Sequence, residues 1–119
     1  MKNIFLLVVI SVITGLVACK REKTSPGDGG GNTNVDCSKV TFSGDILPLI
    51  SSRCATSGCH NAGSINGPGP LTTYLQISTS RTFIINAVLA NRMPQTGPAL
   101  TATEKAKLNC WVDAGAPNN

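Results

Sequence analysis

Within Cys54-Ala55-Thr56-Ser57-Gly58-Cys59-His60 two thiols are followed at once by an imidazole. Covalent haem attachment requires those groups. Each thiol adds across a vinyl group to form a thioether, and the residue after the second thiol reaches the iron from the proximal side. The usual form is C-x-x-C-H; the spacing here is C-x4-C-H. Beyond its first residue the chain has one methionine, Met93, and in all one histidine, His60. If an iron is bound between an imidazole and a thioether, no other residue can take either position. Met93 stands before Pro94 in an Arg-Met-Pro loop between two helical patterns, where a thioether can be carried over the far face of a haem plane.

The same residues have plainer readings. Cys54 and Cys59 could close a small disulfide loop, with His60 solvated at the surface. Cys37, Cys54, Cys59, His60 and Cys110 could supply a zinc site, although adjacent side chains such as Cys59 and His60 diverge and rarely both reach one tetrahedral ion. Met93 could be an apolar plug beneath the last helix. Trp111 reads as core. Arg53, Arg81 and Arg92 are candidate partners for haem propionates, with simple solvent exposure as the alternative. The stretch 63–70 resembles no phosphate loop and reads as a connection over the cofactor edge.

The elements that position these groups are helical. Ser43 is a candidate N-cap, and Ile46, Leu47, Leu49 and Ile50 form one apolar face running towards Cys54. Pro48 is tolerable only near the first turn of that helix. Residues 61–70 hold three glycines and two prolines and cannot be regular. Leu71 to Ile77 reads as a short helix or turn. Ser80 can cap a helix through Ala90, with Phe83, Ile84, Val88 and Ala87 inward. The last helix is the best defined: Thr101-Ala102-Thr103-Glu104 fits a capping box, and Leu108, Trp111 and Val112 follow at i, i+3 and i+4. Gly115 sits where a C-terminal glycine belongs, and Pro117 prevents continuation.

Composition bounds the rest. The chain has 119 residues and a formal charge of +4, too mild and dispersed for a nucleic-acid arm. Phe42, Tyr74, Phe83 and Trp111 are the aromatics left beyond Phe5, so a domain this small needs a staple, metal or cofactor. Lys2 gives a positive n-region, and residues 4–18 run without charge, short of the ~20 residues that span a bilayer. Leu16-Val17-Ala18-Cys19 resembles the bacterial lipoprotein box, which implies that residues 1–18 are a signal peptide and Cys19 a lipidated N-terminus. An ordinary signal peptide or an uncleaved anchor is the alternative. Residues 19–34 read as a flexible tether, and residues 35–119 as the folded domain. An exported chain meets oxidising conditions, where thiols end up paired, alkylated or metal-bound.

Several further pieces occur in order: Phe42-Ser43-Gly44-Asp45-Ile46-Leu47-Pro48, Cys54…Cys59-His60, Leu71…Tyr74, Arg92-Met93-Pro94, Leu100-Thr101, and Trp111-Val112-Asp113-Ala114-Gly115-Ala116-Pro117-Asn118-Asn119. Over residues 40–119 this set resembles the small c-type-cytochrome-like domains of exported lipoproteins from Bacteroidetes-type bacteria. The C-x4-C-H spacing is the departure from their pattern. The resemblance implies an all-α, class I cytochrome c-like fold of three to four helices with irregular loops. It also implies one covalent haem c on Cys54 and Cys59, with His60 as proximal and Met93 as distal iron ligand. Cys37 and Cys110 are expected to form a disulfide, since Cys110 flanks the buried stripe of the last helix and such folds pack their terminal helices together.

The function so implied is electron transfer by a lipid-anchored monomer, not enzymatic catalysis. Its partners would be periplasmic or membrane redox proteins, and its place the periplasmic face of the outer membrane. A haem-free, disulfide-stapled lipoprotein binding module is the alternative. A haem enzyme or sensor is disfavoured, because no second histidine exists to act as a distal acid-base group.

Overall fold

The hydroxyls of Thr41, Thr73 and Thr101 cap three of the helical starts, whereas Ser80, expected as a cap, stands at its helix start without a side-chain hydrogen bond. The computed structural model describes residues 33–119; the expectations for a signal peptide over 1–18, for acylation of Cys19 and for most of the tether lie outside the described residues. A single 3-10 turn, Cys37–Lys39, is followed by a π-helical turn, Phe42–Ile46, that runs straight into α1, Leu47–Arg53. Then come α2, Tyr74–Thr79, α3, Arg81–Leu89, and α4, Ala102–Asp113. Among the described residues there is no strand, so the domain is all-α as expected. No described helix is long and apolar enough to cross a membrane.

Thr41, not Ser43, caps the first helical segment. Its Oγ1 accepts the Gly44 N–H at 3.1 Å, and Asp45 Oδ2 accepts the Thr41 N–H at 3.0 Å. This reciprocal pair works like a capping box with one extra residue. The extra residue is the π-turn, in which Ile46 N–H reaches back to the Thr41 carbonyl at 3.3 Å. Pro48 then falls in the first turn of α1, where its missing N–H costs nothing. The Lys107 ammonium, 2.8 Å from Asp45 Oδ1, fastens this turn to α4. That hydrogen bond, and the one from the Thr41 amide, hold the Asp45 carboxyl below its ordinary 3.8.

Helix α4 follows the sequence expectation closely. Thr101 Oγ1 accepts the Glu104 N–H, and Glu104 returns a carboxylate oxygen to the Thr101 N–H at 2.7 Å. At the other end Gly115 adopts φ +88°, the left-handed value that only glycine takes without strain. Its N–H bonds the Val112 carbonyl and the Ala116 N–H bonds Trp111, which completes a Schellman stop. Thr73 and Gln76 make a second capping box at the start of α2.

The core collects Phe42, Ile46 and Ile50 from the first segment, Ile77 from α2, Ile84, Ile85 and Val88 from α3, and Leu108 and Trp111 from α4. Phe42 meets Tyr74 edge-on at 5.0 Å and lies 5.7 Å from Trp111. The polar ends of these rings are satisfied by the C-terminal tail: Tyr74 Oη donates to the Ala116 carbonyl and Trp111 Nε1 to that of Pro117, both at 2.9 Å. The tail then closes on the π-turn, where Asn119 Oδ1 accepts the Phe42 N–H at 2.8 Å and its backbone oxygen accepts Ser43 N–H at 2.9 Å.

Phe83 departs from expectation. It is 71% exposed rather than inward, and Ile85 takes the buried place instead. Helix α3 is apolar on nearly every side, so its periodicity could not say which face turns in. Cys37 and Cys110 are joined by a disulfide across a separation of 73 residues, with Cα atoms 5.1 Å apart. It staples the chain entering the domain to the last helix.

Candidate functional site

Cys54 follows directly on the last residue of α1, and the C-x4-C-H segment that it opens is wound into a closed loop. The Cys54 N–H still bonds the Ile50 carbonyl at 2.8 Å, and so does that of Ala55. The Cys59 N–H then bonds Thr56, and the His60 N–H bonds the Cys54 carbonyl, both at 3.0 Å. Gly58, at φ +78°, allows the chain to reverse within this turn. The two residues beyond the usual spacing are thus absorbed in a Thr56–Cys59 turn, and the segment starts and ends at one point.

The 61–70 connection folds over this turn. Asn66 Nδ2 donates to the carbonyls of Gly58 and Cys59 at 3.0 and 3.1 Å, and Ser64 Oγ donates to Cys59 O. Leu71 N–H bonds the His60 carbonyl at 2.8 Å and sends the chain back into the core. The imidazole itself is buried, 8% exposed, and its Nδ1 lies 2.9 Å from the Gly69 carbonyl oxygen. A carbonyl can only accept, so Nδ1 carries a proton, and in the neutral ring the lone pair is then on Nε2. Outer partners commonly fix a ligating histidine in this way.

One cavity of about 760 Å³ brings the expected site residues together: Cys54, Cys59, His60 and Met93 all line it. Its size is that of a cofactor or ligand pocket. Leu71, Phe83, Ile84, Ala87, Pro68 and Pro94 give it apolar walls. The outward Phe83 therefore has a place: it flanks the opening of this cavity and not the core. The Met93 loop is held at its start by α3, since the N–H groups of Arg92 and Met93 both bond the Ala87 carbonyl, at 2.8 and 3.3 Å.

Cys54 and Cys59 are both free thiols, and neither is fully exposed. Burial pushes the Cys54 thiol from an ordinary 9.0 up to about 11, the Arg53 guanidinium pulling more weakly the other way. Near neutral pH the Cys54 thiolate is then about 100-fold scarcer than that of an ordinary thiol, at tenfold per pH unit. In the haem-free chain, iodoacetamide is expected to modify Cys54 about 100-fold more slowly at pH 8 than it modifies a small free thiol. The rate should climb tenfold per pH unit towards pH 11. Peptide mass mapping over a pH series checks this, and a rate at pH 8 equal to that of the free thiol would contradict it.

The three candidate propionate partners separate. Arg92 lines the cavity, is exposed, and makes no ion pair among the described residues. Arg81 does not line the cavity; its guanidinium donates to the Ser78 carbonyl at 2.8 Å. Arg53 lines it, but its Nη2 donates to the carbonyls of Pro98 and Ala99 at 3.0 and 3.2 Å. Trp111 is core, 1% exposed, and does not line the cavity. Among the described residues no group of three or more His, Cys, Asp and Glu side chains is placed to hold a metal ion. Gly69 and Asn66 were not anticipated from sequence. A glycine- and proline-rich stretch has no period to show which of its groups turn inward.

No family model, curated protein or solved structure matches this chain.

Proposed function

We propose that this chain is an electron carrier, a monohaem c-type cytochrome tethered to a membrane through Cys19. The observation that carries the reading is the meeting of Cys54, Cys59, His60 and Met93, from two distant stretches of chain, on one cavity of about 760 Å³. The residues fit the group: two free thiols for two thioethers, an imidazole with Nδ1 already tied to Gly69, a thioether sulfur, and apolar walls. Haem would supply a one-electron ferrous–ferric couple there.

The chain's own residues do the rest. Cys54 and Cys59 would hold the group by adding S–H across its two vinyl double bonds, sulfur to one carbon and hydrogen to the other, so the bound mass would equal that of chain plus haem. His60 Nε2 and the Met93 sulfur are the residues that would hold the iron. Leu71 and Ile84, both buried, would keep water from the group and favour its less charged ferrous state. Arg92 is the cation available to a propionate. Redox proteins of the periplasm or membrane would dock transiently at the cavity mouth. The resemblance to exported lipoprotein domains supports the same reading, including a monomer facing the periplasm from the outer membrane.

The test is expression with haem c maturation active, followed by the dithionite-reduced spectrum and the intact mass after denaturation. A sharp reduced α band with one haem retained is the expected result. In that holoprotein, Met93→Ala should convert the ferric spectrum to high spin and lower the potential by on the order of 0.1 V or more. A haem-free chain lighter than its reduced form by the hydrogens of two disulfides would overturn the proposal in favour of a stapled binding module.

A further inference from the structure

Arg53 occupies a junction between three segments. It ends α1, immediately before Cys54, and its side chain reaches the far end of the loop that carries Met93. One guanidinium nitrogen, Nη2, bridges two successive carbonyls, Pro98 at 3.0 Å and Ala99 at 3.2 Å. Nε faces Glu104 Oε1 at 3.6 Å, too far for a hydrogen bond but close enough for an ion pair, with side chains only 25% and 29% exposed. Glu104 is itself occupied, its other oxygen closing the capping box of α4 on Thr101.

The Met93 loop is therefore tied at its two ends, and no side-chain hydrogen bond holds it between Met93 and Gly97. Its entry hangs on the Ala87 carbonyl of α3 and on Asn91, whose Oδ1 accepts from Lys105 Nζ of α4 at 2.6 Å, and its exit hangs on Arg53. Leu100, 4% exposed, anchors the residue just beyond the clamp in the core. The first attachment turns on α3; the second turns on the same segment that delivers Cys54. One side chain thus joins the segment that delivers Cys54 to the exit of the loop opposite it.

We infer that Arg53 is the positioning residue for the sixth ligand: by clamping the Pro98 and Ala99 carbonyls it holds Met93 over the cavity and sets how readily that thioether is displaced. The clamp itself follows from the contacts of Arg53, and its effect on ligation rests on the cytochrome reading. Lysine has one compact donor group on a flexible stem and cannot bridge two carbonyls while keeping a second nitrogen beside Glu104. The charge alone is not sufficient.

The experiment compares the parent holoprotein with Arg53→Lys, Arg53→Gln and, as a control on stability alone, Lys107→Ala. Imidazole is titrated into the ferric proteins and competes with Met93 for the iron. Losing charged-donor hydrogen bonds at the loop exit should tighten apparent imidazole binding roughly 10- to 100-fold in Arg53→Gln, with Arg53→Lys in between. Lys107→Ala breaks the Asp45 pair, lowers stability, and should leave imidazole affinity unchanged. Affinities within twofold of the parent in both Arg53 variants would overturn the inference, as would an equal rise in Lys107→Ala.

If the parent takes up no covalent haem, the proposed function fails and the clamp is read separately. Dilute peroxide oxidation of half-buried Met93 in the haem-free chains should then run on the order of 10-fold faster without Arg53, through local opening of the loop. Equal rates would refute the clamp.

Discussion

A chain carrying Cys54→Ser and Cys59→Ser together is expected to release all of its haem into acidified organic solvent, whereas the parent retains it through denaturation. Serine keeps the shape of each side chain but lacks a sulfur that can add to a vinyl carbon. The imidazole is untouched in this variant, because its orientation depends on Nδ1 and the Gly69 carbonyl and not on either thiol. On the proposed function haem would still bind reversibly through His60 and Met93 in this variant, which makes the loss of covalent retention specific. Each single substitution should leave one thioether and one intact vinyl group, with the reduced α band displaced to longer wavelength. The turn closed by the His60 N–H on the Cys54 carbonyl leaves both sulfurs on a short, fixed loop, so neither can substitute for the other. Full covalent retention in the double variant would remove the basis for the functional proposal.

Breaking the Cys37–Cys110 disulfide should have the largest effect on stability. Closing a separation of 73 residues restricts the unfolded chain by about 4 kcal/mol on the chain-entropy account. A small domain has roughly 5–15 kcal/mol in all, so most of the margin could go. At about 4–8 °C per kcal/mol for a domain of this size, Cys37→Ser with Cys110→Ser should lower the melting temperature by roughly 15–30 °C. Circular dichroism melts of the double variant, or of the parent with and without reductant, measure it directly. A drop below about 5 °C would mean that the π-turn, α4 and the Asn119 contacts hold the entering chain without the bond.

How far the sequence foretold this structure differs by element, for physical reasons. Both boundaries of α4 were legible, since a capping box and a Schellman glycine are local devices written in a few adjacent residues. The start of α2 carries an equally readable Thr73…Gln76 pair, yet it was anticipated only as a helix or turn. Thr41 was passed over for Ser43 because the rule for a capping box counts α-helical residues, and a π-turn adds one. The four candidate residues that line the cavity stand out in the sequence because each has a chemistry that few residues share, His60 being the one histidine and Met93 the one methionine beyond Met1. What supports them was not identifiable. Backbone carbonyls of Gly69, Pro98 and Ala99 have no side-chain signature, and the guanidinium of Arg53 reveals its role only once those carbonyls are placed. Phe83 shows the limit of periodicity when most of a helix's circumference is apolar.

The meeting of Asn119 with the Phe42–Ser43 amides, beside a bond from Cys37 to the last helix, makes the domain almost a ring. A polypeptide that leaves next to where it enters can be spliced into a surface loop of another protein without opening its own core. Residues 36–119 can therefore be grafted as a cassette into a host of choice, but the irregular 61–70 stretch is no place to reopen a chain whose ends are joined, since Gly69 and Asn66 hold His60 and the Cys59 turn. Reopening within 93–99 is equally to be avoided, because it would sever the strap between α3 and Arg53 while leaving the ring intact.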